Sequence, residues 1–184
     1  MAIIEKNTNL IHQPDLAGDT FFHANPLQPD SYGNTVLHYL ADELSPDPER
    51  KSHFDIFRKF LAAGVDINAK NRKGETPLFR YVLQNSYHWV FPSDEEEPSH
   101  PCFDFFQETG ADFFARNNAG STLLHLVASV RSRSKFNEKE AVEYEVQSFK
   151  ILIGMGLDPM TEDMQQRTSL DVAAACGSEH ILKL

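Results

Sequence analysis

Apolar residues along the chain recur in short runs at spacings of three and four. Phe54, Phe57, Phe60 and Leu61 form one run, Leu78, Val82 and Leu83 a second, and Phe149, Leu152 and Ile153 a third. That spacing puts side chains on one face of an α-helix. Between the runs lie polar stretches containing glycine. Asn71-Arg-Lys-Gly74 and Asn117-Asn-Ala-Gly120 read as tight turns whose glycine is free to take positive φ. Thr76-Pro77 reads as a helix start, with Thr as cap and Pro in the first turn. Gly64, Gly110 and Gly156 fall where a second helix must stop. The pattern predicts one unit: turn, helix, loop, second helix, glycine stop.

The unit repeats. Gly33-Asn-Thr35, Gly74-Glu-Thr76 and Gly120-Ser-Thr122 align, and Gln166-Arg-Thr168 joins them with Gln for Gly. Gly64-Val-Asp66, Gly110-Ala-Asp112 and Gly156-Leu-Asp158 form a second series. From the glycine of each Gly-x-Asp to the next threonine the interval is 12 residues, three times over: 64 to 76, 110 to 122 and 156 to 168. The interval within the unit varies. Thr35 to Gly64 is 29 residues, while Thr76 to Gly110 and Thr122 to Gly156 are both 34, so the periods are 41, 46 and 46. A fixed pair of ends around a variable middle points to insertion at one place.

These residues resemble the ankyrin repeat family, whose unit of about 33 residues is a turn plus two helices with a Thr-Pro-Leu-His signature. Here the signature reads Thr35-Val-Leu-His38, Thr76-Pro-Leu-Phe79, Thr122-Leu-Leu-His125 and Thr168-Ser-Leu-Asp171. The later element reads Gly64-Val-Asp-Ile-Asn-Ala69 and Gly110-Ala-Asp-Phe-Phe-Ala115. The resemblance spans about Asp30 to Leu184. It implies an all-α helix-turn-helix solenoid with short β-hairpin-like turns between repeats. The repeats are expected at about 30–70, 71–116, 117–162 and 163–184, the last one truncated inside its second helix. Subtracting the family length leaves inserts of about 8, 13 and 13 residues between the paired helices. They fall around Asp42–His53, Gln84–Pro101 and Ser129–Val146, and Glu138–Val146 reads as an N-terminal extension of the following helix. Residues 1–29 repeat the turn pattern in Asp15–His23, but Pro26 and Pro29 exclude a full helix pair. They are expected to cap the stack. Leu182 and Leu184 should lie more exposed than Phe60 and Leu61, and a longer parent protein is expected.

Composition narrows the classes. The 184 residues carry 27 acidic and 17 basic side chains, net −10, so a general grip on nucleic acid is disfavoured. No apolar stretch approaches the 20 or so residues of a membrane-spanning helix. The start of the chain lacks the basic and apolar regions of a signal peptide. Only Cys102 and Cys176 occur, which excludes a disulfide framework and a cysteine zinc cluster. The expected setting is intracellular, cytoplasmic or nuclear, and the expected state is a monomer.

No catalytic pattern emerges. Gly-x-Ser-x-Gly and the phosphate-loop motif are absent, and Gly154-Met-Gly156 falls at a helix end. His38 and His125 sit at the family's signature histidine, with His23 at a degenerate copy. The resemblance implies that they bond neighbouring turns rather than do chemistry. Asp94-Glu-Glu-Glu97 is a solvated loop run. Cys176 reads as a small packed residue. No enzyme activity, cofactor or metal is expected.

What remains is a binding surface. The resemblance implies a concave face made of turn tips and the exposed side of each first helix. Carried over, its positions are Tyr32, Asn34 and Asp42 in the first repeat, and Arg72, Lys73, Glu75, Arg80 and Gln84 in the second. Asn118, Ser121 and Ser129 follow in the third, with Met164, Gln165 and Arg167 in the fourth. Lys70, Arg72, Lys73 and Arg80, with Arg116 in the next turn, make its middle basic. A basic strip on an acidic protein suggests an acidic or phosphorylated protein segment as partner. The plainer reading is that Lys and Arg are ordinary turn-tip residues. The inserts are a second candidate surface, carrying Tyr87-His-Trp89-Val-Phe91 and Arg131-Ser-Arg-Ser-Lys135. The expected function is protein–protein interaction. The alternative is an architectural or regulatory segment of a larger multidomain protein.

Overall fold

A computed structural model describes residues 27–44, 51–84, 101–129 and 138–184. The cap segment before residue 27, Trp89 and its neighbours, and Arg131–Lys135 lie outside the described residues. The elements are α1 (Val36–Glu43), α2 (Lys51–Ala62), α3 (Pro77–Gln84), α4 (Pro101–Glu108), α5 (Leu123–Ala128), α6 (Glu138–Gly154), α7 (Ser169–Cys176) and a 3₁₀ turn at Ile181–Lys183. No strand occurs among the described residues. The fold is all-α, as the periodicity predicts, and the extension at Glu138–Val146 is part of α6.

Two local devices repeat. Each first helix starts at a threonine whose Oγ or backbone N–H bonds the residue three positions on. In α3 the Phe79 N–H donates to Thr76 Oγ1 at 3.4 Å, and in α7 the Asp171 N–H donates to Thr168 Oγ1 at 3.2 Å. Each second helix ends at a glycine with positive φ: Gly64 (93°), Gly110 (82°) and Gly156 (97°). The residue after it turns its N–H back onto the last turn, Val65 to the Phe60 carbonyl, Ala111 to Phe106 and Leu157 to Leu152. That closes the helix and satisfies carbonyls that would otherwise be orphaned.

The helices form two layers. The first helices pack directly on one another in the order α1, α3, α5, α7. Buried Leu37, Ala41, Leu78, Val82, Leu124, Ala128 and Ala173 fill the spaces between them. The second layer is more open. Between α2 and α4 aromatic rings act as spacers: Phe54 meets Phe105 at 4.8 Å, and Phe57 meets Phe105 at 5.4 Å and Phe106 at 5.7 Å, all edge to face. The last segment departs from expectation. A single 3₁₀ turn stands where the repeat pattern predicts a second helix. Ser178 anchors it, its N–H on the Ala173 carbonyl and its Oγ on the Ala128 carbonyl. Leu182 and Leu184 are 48% and 54% exposed, whereas Phe60 and Leu61 are half-buried, as expected.

Candidate interaction surface

The turns are built on a residue type that sequence reasoning did not single out. Asp30, Asn71, Asn117 and Asp163 each stand three positions before the turn Gly or Gln. In all four the side-chain Oδ1 accepts two backbone N–H groups. Asp30 takes those of Tyr32 (2.8 Å) and Asn34 (2.7 Å), and Asn71 those of Lys73 (2.9 Å) and Glu75 (3.0 Å). Asn117 takes those of Ala119 (2.9 Å) and Ser121 (3.0 Å), and Asp163 those of Gln165 (2.8 Å) and Arg167 (3.1 Å). The short side chain of Asp or Asn, ending in a planar oxygen, reaches both donors. The recurrent Asp or Asn at that offset was the signal available in the sequence.

Each turn then hooks onto the next. The Arg72 N–H donates to the Tyr32 carbonyl, Asn118 to Lys73 and Met164 to Ala119, all at 2.9 Å. Two histidines tie the turns from beneath. His38 Nδ1 accepts the Thr35 N–H at 3.0 Å, which leaves Nε2 carrying the proton to the Glu75 carbonyl at 3.0 Å. His125 repeats this between the Thr122 N–H (3.2 Å) and the Arg167 carbonyl (2.9 Å). The role inferred for these histidines from the resemblance is the one observed. A second ladder runs along the chain entering each turn. Lys70 Nζ donates to the Arg116 carbonyl at 2.9 Å, and Arg116 Nη1 donates to the Glu162 carbonyl at 3.1 Å.

Neutral imidazole is needed at His38, because a protonated Nδ1 would face the Thr35 N–H donor to donor. Burial holds the His38 pKa below its ordinary value, against the Glu75 carbonyl bond, which raises it. A base held neutral in the fold binds its proton more readily when unfolded. Its stabilising contribution is therefore complete above the ordinary imidazole value of about 6.5 and is lost as pH falls below it. We expect the stability difference between the native chain and His38→Phe, a change that copies Phe79, to shrink from pH 7 to pH 5. The slope should be at most about 1.4 kcal/mol per pH unit. Urea titrations across that range measure it, and a difference that does not move with pH rejects this role for His38.

The expected contact positions separate into two groups. Tyr32, Arg72, Lys73, Asn118, Met164 and Gln165 lie exposed at the turn tips, with Tyr32 45% and Met164 76% exposed. Gln84 is exposed at the end of α3 and Ser129 half-buried at the end of α5. The others serve the scaffold more than the surface. Glu75 is buried and accepts a bond from Asn71 Nδ2 at 3.1 Å. Asn34 accepts from Asn71 Nδ2 at 3.0 Å, and Ser121 is half-buried within its turn. Arg80 bonds Asp42 at 2.5 Å across α1 and α3. Burial pushes the Asp42 carboxyl up to about 6, against the opposing pull of Arg80. Arg167 forks onto Asp163 at 2.7 and 3.1 Å. Burial works against ionisation of Asp163, but the Arg167 and turn N–H bonds outweigh it and hold its pKa below the usual carboxylate value.

The basic strip is thereby thinned. Lys70, Arg80, Arg116 and Arg167 spend donors on carbonyls or carboxylates of the repeat stack. The Arg72 and Lys73 side chains, adjacent at one tip, make no ion pair among the described residues. No group of His, Cys, Asp or Glu is arranged to hold a metal among the described residues. Burial pushes the Cys102 thiol up to about 12, so it is inert as a nucleophile. No helix among the described residues is long and apolar enough to cross a membrane.

Comparison with known proteins agrees with this geometry. The ankyrin repeat family model matches residues 32–72. A stress-activated protein kinase alpha of Dictyostelium discoideum is 37% identical over 54 residues, which is 29% of this chain and 8% of that protein. A probable serine/threonine-protein kinase of the same organism is 38% identical over 53 residues, 29% of this chain and 6% of that protein. The chain thus spans less than a tenth of the length of the curated relatives it matches. Residues 32–72 thus match the ankyrin repeat, and the hooked turns, histidine ties and glycine-stopped helix pairs carry the same helix-turn-helix architecture through the described residues.

Proposed function

We propose that the chain binds another protein along the row of turn tips and the adjoining surface of the first helices, and that Arg72 and Lys73 receive an acidic or phosphorylated segment. The observation that carries this reading is the exposed state of those two cations, without an ion pair among the described residues, within a row of tips locked in register. Backbone bonds on both sides of the Arg72–Lys73 tip hold it rigid, so little conformational freedom is lost on binding. Two adjacent like charges repel. An anionic partner relieves that repulsion and is steered toward it. Tyr32 on one side and Met164 on the other supply exposed apolar area for contact.

Affinity capture with the purified chain, followed by mass-spectrometric identification, tests the reading. Arg72→Glu with Lys73→Glu should lower recovery of the captured partner at least about tenfold, equivalent to roughly 1.4 kcal/mol. The loss should be larger at low salt, where screening is weakest. Replacing residues 93–99 by Gly and Ser should leave capture intact. Should the loop replacement abolish capture while the charge reversal is silent, the insert edge is the binding surface.

The short match within much longer kinases favours a second reading, a regulatory or architectural segment of a larger protein. Under that reading the purified segment captures nothing that depends on Arg72 and Lys73.

A further inference from the structure

The rings that space α2 from α4 leave an open groove of about 440 Å³ in the second layer, lined by Phe54, Asp55, Arg58, Pro101, Asp104, Phe105 and Glu108. It is built from the second helices, whereas the turn tips and first helices make the surface described above. Its floor is aromatic, with Phe54 and Phe105 in edge contact at 4.8 Å. Its rim is acidic: three carboxylates face one guanidinium. Asp104 and Glu108 are one helical turn apart on α4 and are both exposed, a spacing at which like charges repel. Burial and then the Glu108 charge push the Asp104 carboxyl up from its ordinary value.

The groove already holds one example of the chemistry it selects. The Arg58 guanidinium lies over the Phe105 ring at 4.9 Å, between Asp55 at 3.8 Å and Glu108 at 3.9 Å. Both ion pairs are long, and all three side chains are more than half exposed. Arg58 therefore marks the site without filling it, and it leaves two of the three negative charges uncompensated.

We propose that this groove docks an arginine-bearing segment of a partner protein, distinct from the partner of the turn tips. An arginine fits because its flat guanidinium stacks on an aromatic ring and forks onto carboxylates in one pose. Its methylene stem lies along the phenylalanine edges. The inference does not depend on the reading of the tips, since the two surfaces have opposite charge and share no residue. Together they make the chain a bridge between an acidic segment on one layer and a basic segment on the other.

The test uses the whole chain and a fluorescent hexapeptide of alternating arginine and alanine, read by anisotropy at low salt. Three variants decide it, each checked for an unchanged melting curve. Asp104→Asn with Glu108→Gln should weaken binding at least about fivefold, the loss of two charge contacts. Glu162→Gln with Glu179→Gln makes the same change in net charge away from the groove and should weaken it less than about twofold. Arg58→Gln removes the resident cation and should strengthen binding. Equal losses in the two double variants would reduce the effect to overall charge and overturn the proposal, as would a peptide that binds none of the forms. If the peptide binds only after Arg131, Arg133 and Lys135 are neutralised, the occupant is the chain's own basic insert and an external partner is rejected. Binding unaffected by Arg72→Glu with Lys73→Glu keeps this site separate from the tips.

Discussion

Gly74→Ala should cost about 3 kcal/mol or more, roughly 6–12 °C in melting temperature for a chain of this size. Two effects add. The first is conformational: Gly74 has φ of 74°, a region where a side chain costs about 1–2 kcal/mol. The second is steric. A Cβ at Gly74 would meet Asn118 Oδ1 at 2.4 Å and Asn118 N at 2.6 Å. The Asn118 backbone cannot yield without losing its bond to the Lys73 carbonyl, and Asn118 Nδ2 would lose the Arg72 carbonyl with it. Each such bond is worth about 1 kcal/mol net. Gly64→Ala is the control, since Gly64 has φ of 93° but nothing within 4 Å of its added Cβ. It should cost only the conformational part, about 1–2 kcal/mol. Equal losses at Gly64 and Gly74 in urea unfolding would refute the close approach of turn on turn.

The fourth turn supports the same argument from the other side. Gln166 takes the glycine position with φ of 58° and is exposed, because no described turn lies over it. Where nothing stacks, the side chain meets only backbone strain. Gln166→Gly should therefore be neutral or stabilising by up to about 1 kcal/mol.

Phe57→Ala should cost about 3–5 kcal/mol. The ring is fully buried and meets both Phe105 and Phe106 edge to face, so it joins α2 to α4. Removing it leaves a cavity between α2 and α4, and the extent to which those helices relax into it sets where in that range the loss falls. The lost ring pairs add about 0.5–1.5 kcal/mol each to the loss of buried area. The seam between neighbouring units should fail first, since a repeat array is held by intrinsic and nearest-neighbour terms. Hydrogen exchange should then show α1 and α2 opening separately from α5 to α7. A loss below 1 kcal/mol, with one cooperative transition retained, would mean that the first-helix layer alone carries the coupling.

How much of this was legible follows from the range of the interactions. Helix faces, threonine starts, glycine stops and the 12-residue spacer depend on residues within one unit. Their chemistry repeats wherever the unit repeats, so the resemblance to the ankyrin repeat and the all-α solenoid were legible in a single sequence. The Asx position at Asp30, Asn71, Asn117 and Asp163 was equally local and could have been read. The histidine ties span about 40 residues, and only the family resemblance made them visible.

The surface was decided differently. Residue type alone made Lys70, Arg72, Lys73, Arg80 and Arg116 one basic strip. Whether a cation is available to a partner depends on which acceptors the fold brings within reach. Asp42 lies 38 residues from Arg80, and Glu162 lies 46 from Arg116. No local pattern encodes those meetings, and with the Lys70 bond to the Arg116 carbonyl they turn three of the strip's cations into scaffold. The groove between α2 and α4 is a matter of the same kind. The phenylalanines were readable as a helix face, but only their packing edge to face holds the helices apart and opens a charged cleft between them. The sequence by itself determined what each unit is, because a unit folds on contacts close in the chain. The stacking of units decided which charges remain free, because ion pairs and ring spacings form across repeats.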